Sequence, residues 1–265
     1  MYETTYHRAS SVDEAVKLLG GADDGKFVAG GQTLIPTMKA RLAAPSDLID
    51  LRHIADLRGI EVNGNQVKIG AGTTHAEVAS DNALARACPA ICDLASHIGD
   101  PHVRHMGTIG GSVANNDPAA DYPAALLALN ATIHTNSREI TADDFFVGLF
   151  ETALEEDEII TAVSFEVPEK AGYAKFPNPA SRYALTGVFV ARGNDGIRVT
   201  ATGAGEEGVF RVSAIEEALA NSFSEDALQN VSVSAEGLMS DIHASAEYRA
   251  NLIKVMAKRA VATAS

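Results

Sequence analysis

Two short segments have the residue types needed to hold a phosphate group: Ala29-Gly30-Gly31-Gln32-Thr33 and Thr108-Ile109-Gly110-Gly111-Ser112. Paired glycines beside a hydroxyl residue let a chain bring several backbone N–H groups up to a diphosphate, because no Cβ intervenes and positive φ is open to them. Neither segment contains the lysine of a nucleotide-hydrolysing phosphate loop, so they predict binding without cleavage. Taken singly, each Gly-Gly also reads as a plain tight turn. A polar stretch follows the second segment and opens a helix, with Asn115, Asn116, Asp117 and Asp121 along it. A carboxylate there can accept hydrogen bonds from two sugar or ribityl hydroxyls, and an Asn can both donate and accept. Asp117 and Asp121 are four apart, so one can cap a helix beginning near Pro118 while the other points elsewhere.

Two further patterns suggest chemistry that their surroundings argue against. Gly203-Ala204-Gly205-Glu206-Glu207-Gly208 matches a dinucleotide fingerprint, yet it follows a hairpin and places two carboxylates where a pyrophosphate would lie. It reads as a turn. His97, His102 and His105 near Cys92 have some metal-ligand spacing, but Gly99-Asp100-Pro101 breaks the segment, and no metal site is expected. These histidines are expected to shape the approach to the second glycine segment, and Cys88 and Cys92 to pack in the interior. No catalytic acid or base is expected.

The elements that must position these residues are legible in outline. Ser11 and Glu14 form a capping box for a short helix that stops at Gly20-Gly21. Lys26–Ala29 reads as a strand running into the first glycine segment, and 34–42 has helical spacing. Hairpins are expected around Asn63-Gly64 and around Gly193–Gly196. Helices are expected over 75–82, 87–97, 119–129 and 214–221. A strand over 159–167 ends at a polar Pro- and Gly-containing stretch, Pro168–Gly172, which places a domain boundary near residue 169. In the final helix, 246–262, Tyr248, Leu252, Val255 and Met256 share one face and Arg259 interrupts it.

The chain has 265 residues, 46% of them apolar, enough to bury one or two cores. Its formal net charge of −14 makes nucleic acid a poor partner. Two cysteines can neither frame a disulfide-rich fold nor ligate an iron–sulfur cluster within this chain. The N-terminus lacks a leader pattern and no apolar run reaches membrane-helix length, so a soluble cytoplasmic protein is expected.

The two glycine segments, extended through Leu34-Ile35-Pro36 and through Ala114–Pro123, resemble the FAD-binding medium subunit of the molybdenum hydroxylases, the family of aerobic carbon monoxide dehydrogenase and xanthine dehydrogenase. The likeness covers nearly the whole chain, with Gly70–His75, Lys175-Phe176, Ser181–Ala184 and Ser245–Arg249 in the expected order. It implies an α+β fold: a vanillyl-alcohol-oxidase (PCMH) type FAD-binding domain of two α/β parts over 1–169, then a smaller domain of antiparallel sheet and helices over 170–265. It implies FAD contacts from Ala29, Gly30, Gly31, Gln32, Thr33, Leu34 and Ile35. Further contacts are implied from Thr108, Ile109, Gly110, Gly111, Ser112, Asn115, Asp121, Ile160 and Lys175.

The resemblance also implies a division of labour. A large molybdopterin subunit oxidises the substrate and a small [2Fe–2S] subunit carries electrons. This subunit passes them through FAD to an external acceptor, within a heterohexamer of doubled trimers. A stand-alone flavin oxidoreductase would differ by turning over an organic substrate when purified alone, and a non-enzymatic nucleotide-binding module by being colourless.

Overall fold

A computed structural model describes residues 1–265. The chain opens with β1 (Thr5–Arg8), α1 (Val12–Gly20), β2 (Gly25–Val28), α2 (Leu34–Lys39) and β3 (Asp47–Asp50). These strands form a parallel sheet in the order β1-β3-β2, and Ala15 of α1 packs with Ile49, Ile54 and Leu57 in a small core. Ser11 caps α1 by accepting from the Glu14 N–H. The Glu14 carboxylate reaches Ser10 N–H and Oγ instead of Ser11, so the expected capping box is only half formed.

A second unit follows: β4 (Ile60–Asn63), β5 (Gln66–Gly70), α3 (His75–Ser80), α4 (Asn82–Ala87), α5 (Pro89–Ser96), α6 (Pro101–Met106), α7 (Ile109–Asn115) and α8 (Tyr122–Ala128). It continues through β6 (Thr132–Thr135), β7 (Glu139–Thr141), α9 (Ala142–Phe145), β8 (Phe146–Gly148), β9 (Glu151–Thr152) and β10 (Ile160–Glu166). Its five-stranded sheet runs β4-β5-β10-β6-β7, antiparallel throughout, with the expected first hairpin turning at Gly64.

Three helices differ from their sequence-based expectations. The expected 75–82 and 87–97 helices become α3, α4 and α5, because Asp81 caps α4 and Cys88, in an extended conformation before Pro89, interrupts the path. The expected 119–129 helix starts only at Tyr122, since Asp117 holds Ala119 and Ala120 in a turn.

From residue 170 the chain forms β11 (Lys170–Pro177), β12 (Ala184–Gly193), β13 (Gly196–Gly205) and β14 (Gly208–Arg211), then α10 (Ser213–Asn221) and α11 (Ala246–Thr263). The strands form one antiparallel sheet in sequence order. Both its faces are covered, so β12 reads as a continuous buried run. Val188 and Val190 join the core beneath α10 and α11, whereas Phe189 and Ala191 join the large core of the preceding unit. The 203–208 glycines form the β13–β14 hairpin, with Gly205 paired to Gly208. In α11 the buried face runs through Arg249, Ala250, Leu252, Ile253, Met256, Ala257, Ala260 and Val261. The expected face is therefore rotated: Tyr248 is exposed and the charge inside is Arg249, which donates to Leu185 O and Gly203 O and pairs with Asp241 at 2.7 Å.

Candidate cofactor site

One cavity of about 970 Å³ lies between the parallel sheet, α3, α6 and α7, and the loop over 178–183. Its walls include Ala29, Gly30, Gly31, Gln32, Thr33 and Leu34 on one side and Thr108, Gly110, Gly111, Ser112 and Asn115 on the other. Asp121 and Ile160 also line it. Ile35 instead packs under the first segment against the small core of Val28, Met38 and Leu48, Ile109 is fully buried, and Lys175 lies behind Asp121.

The first glycine segment leaves β2 at Val28. Gly31 takes φ +69°, and a Cβ on Gly30 would collide with the Met106 carbonyl. Only glycine can follow this path without strain or clash. Gln32 Nε2 donates to Gly30 O at 3.2 Å, and Ile35 N–H donates to Gly31 O at 3.2 Å. The backbone N–H groups of Ala29, Gly30, Gly31, Gln32 and Thr33 have no partner within the chain, although Gly30 is buried. Buried N–H groups without partners are rare, because each one forfeits the hydration it had when unfolded. Of the five only Gly30 is buried, Ala29 and Gly31 being half-buried and Gln32 and Thr33 exposed; successive N–H groups free of chain partners around a left-handed glycine have the form of an anion cradle.

The second segment behaves differently. It is the first turn of α7, with Thr108 as cap accepting from Gly111 N–H at 3.1 Å. Ile109 N–H donates to Thr73 O and Gly110 N–H to Ala71 O at 2.8 Å, so the backbone donors expected to reach a diphosphate are already used. Its glycines serve close packing: a Cβ on Gly110 would stand 2.5 Å from Ala71 Cβ. Gly111 faces the other way: a Cβ there would stand 3.0 Å from Thr108 Oγ1 and in ordinary contact, 3.9 Å, with Ala29 Cβ.

At the far wall, Asp121 is 4% exposed and does not cap α8. Its carboxylate accepts from the Tyr173 hydroxyl and pairs with Lys175 Nζ at 2.9 Å, and Lys175 also donates to His97 O. Burial pushes the Asp121 carboxyl above its ordinary value, with Lys175 and Tyr173 pulling against it. Asp117, which also lines the cavity and has no cation beside it, is likewise raised by burial. The segment carrying both is held from behind. Thr202 Oγ1 donates to Pro118 O and Ala120 O, Thr200 Oγ1 to Ala124 O, and Gly203 N–H to Pro118 O.

The residues missed by sequence reasoning include His75, Arg52, Arg58 and Tyr183, all on the cavity wall. His75 had one usable signal. Thr74 and Glu77 form a complete capping box, which fixes His75 as the first residue of α3, where its N–H bonds to Gly107 O beside the second segment.

An open N–H cradle, a glycine-faced wall and a carboxylate at the other end describe a nucleotide cofactor site. Residues 2–169 match the family described as FAD binding domain in molybdopterin dehydrogenase, and the chain belongs to that family. It is an FAD-binding oxidoreductase subunit. It is 38% identical to the carbon monoxide dehydrogenase medium chain of Afipia carboxidovorans, over 97% of this chain and 94% of that one. It is 36% identical to the nicotine 6-hydroxylase medium subunit of Paenarthrobacter nicotinovorans, over 98% and 96%. Among solved structures, carbon monoxide dehydrogenase from Hydrogenophaga pseudoflava, in a form lacking the Mo-pyranopterin moiety, superposes with a TM-score of 0.87 at 33% identity, covering 98% of this chain and 96% of that one.

The residues present fit FAD. The cavity has the volume of a large-ligand site, and the unpaired N–H groups of 29–33 suit a diphosphate. No helix is long and apolar enough to cross a membrane.

Proposed function

We propose that this chain is the electron-relay subunit of a cytoplasmic molybdenum hydroxylase, receiving electrons from [2Fe–2S] clusters on a small partner subunit and passing them to an external acceptor. A large molybdopterin subunit would oxidise the substrate, and the three chains would double into a hexamer. The observation that carries the reading is the run of unpaired N–H groups from Ala29 to Thr33 at the cavity wall. The relatives support it by being named medium chains or subunits of enzymes for substrates as different as carbon monoxide and nicotine, which fits a shared relay with the substrate chosen elsewhere. The chain has two cysteines, short of the four that a [2Fe–2S] cluster takes, so a cluster would come from another polypeptide.

FAD, when bound, supplies the redox chemistry. The chain's residues would bind and orient it: residues 29–33 at the diphosphate, Gly111 and Ser112 opposite, Asp121 at hydroxyls and Ile160 as an apolar wall. Ile35, Ile109 and Lys175 would act from the second layer, Lys175 by holding Asp121. The relay also needs an interface of at least about 1,000 Å² for the cluster subunit, placed near Ile160. A division into domains 1–169 and 170–265 would then put the cofactor in the first domain and its Lys175 support in the second.

Co-expression of the three subunits tests this. The lone chain should bind FAD without oxidising substrate, and the complex should do both. A lone chain that matches the complex in substrate oxidation would overturn the relay and make the chain a stand-alone oxidoreductase.

A further inference from the structure

Among the buried side-chain atoms, two without a hydrogen-bond partner belong to one contact pair. His75 Nδ1 and the Tyr122 hydroxyl are both orphaned, and the two rings pack with centroids 5.4 Å apart. His75 is 5% exposed and Tyr122 fully buried, so bulk water does not reach these atoms. Yet His75 lines the cofactor cavity. Its Nε2 edge lies against Gly107, where a Cβ would stand 2.6 Å from Nε2, so a side chain at that position would push into the ring.

The geometry points to His75 as a cofactor-binding residue, donating from Nε2–H to an oxygen of FAD, with Tyr122 fixing that tautomer through one bridging water at Nδ1. This rests on the FAD-binding reading of the cavity. A neutral imidazole has one donor and one acceptor, so its two nitrogens cannot be assigned independently. The Tyr122 hydroxyl both donates and accepts, and in the proposed arrangement it donates to the water while the water donates to Nδ1. The ring proton then sits on Nε2, the edge facing Gly107 and the cavity. A buried polar pair lacking partners is the setting in which proteins hold an ordered water. Burial and the nearby Arg104 guanidinium keep the ring neutral, lowering its pKa to about 4. Burial likewise raises the Tyr122 hydroxyl well above its ordinary value, so it keeps its proton.

The inference predicts an order among variants of the full chain, stripped of flavin and titrated with FAD. His75→Phe keeps the packing on Tyr122 but removes both nitrogens, and should weaken FAD at least tenfold. His75→Gln, whose amide NH₂ can stand near the lost Nε2–H, should stay within about threefold of wild type. ¹⁵N-histidine NMR of the wild-type chain at neutral pH should show His75 as the neutral Nε2–H tautomer. Tyr122→Phe should shift that signal toward a tautomer mixture. Wild-type affinity in His75→Phe, or an Nδ1–H or protonated ring in the spectrum, overturns the assignment. If His75→Phe does not fold, the wild-type spectrum decides alone. Loss of FAD binding by the wild type would instead remove the cofactor reading itself.

Discussion

The two glycine segments share a sequence pattern and face the same cavity, yet they solve opposite problems. Residues 29–33 leave five consecutive N–H groups without partners around a left-handed Gly31, whereas residues 109–111 spend theirs on Thr73 O, Ala71 O and Thr108 Oγ1. The first is a cradle whose donors have no partner in the chain and stand open toward the cavity. The second is a buttress, complete in itself, whose glycines allow a helix to press on β5's end at Ala71 and keep a bare face toward Ala29. Gly-Gly beside Thr therefore encodes closeness, and whether the closeness is to a ligand or to the chain depends on where the neighbouring carbonyls fall.

If that contrast holds, substitutions in the buttress should register as stability and those in the cradle as affinity. The largest effect belongs to Gly110→Val. Its Cβ would meet Ala71 at 2.5 Å, an overpacking on the order of 3 kcal/mol, seen as a large drop in thermal midpoint even without flavin. Gly31→Ala, which must hold φ +69°, should cost only about 1–2 kcal/mol of stability but sharply raise the FAD Kd. Equal stability losses in the two variants would erase the distinction.

A second test uses the ring behind the buttress. Burial, with Arg104 assisting, lowers the His75 pKa to about 4. The unfolded chain takes up a proton below about pH 6.5 that the folded chain refuses, so stability should fall as pH drops from about 6.5 to about 4 and then level off. At about 1.4 kcal/mol per unit the loss approaches roughly 3 kcal/mol. Denaturant melts of wild type and His75→Gln should diverge across that window, and parallel curves would mean that the ring is solvated. The smallest effect is that of Thr108→Ala, which removes the cap bond to Gly111 N–H and should cost about 1 kcal/mol while leaving the cradle intact. A selective loss of FAD affinity in that variant would show the buttress binding ligand directly.

Much of this was legible in the sequence because it depends on local patterning. The hairpins around Gly64 and around Asn194-Asp195, the Ser11-capped helix and the two glycine segments all announce themselves within a dozen residues. What escaped depends on distant partners. β1 and β3 are four-residue parallel strands that exist by pairing with each other across about forty residues, and β1 is mostly exposed. The second glycine segment reads as a loop because two glycines cost a helix about 1 kcal/mol each, and only the Ala71 and Thr73 carbonyls reverse that preference. In α11 the sequence pattern puts Tyr248 on the inner face, whereas the structure buries Arg249. The carbonyls of Leu185 and Gly203 that draw it inside lie on strands forty or more positions upstream.

The hydroxyls of Thr200 and Thr202 support the segment over 118–124 from more than 75 positions downstream. That separation sets a schedule. At about 5–20 residues per second of synthesis, the cofactor wall emerges from the ribosome roughly 4 to 16 s before its backing does. During that interval Asp121 has neither Tyr173 nor Lys175 beside it for much of the time, and Pro118 has no strand to hold its carbonyl. The Asp121 wall is therefore complete only after the sheet over 170–211 has been made, whereas residues 29–33 lie near the start of the chain.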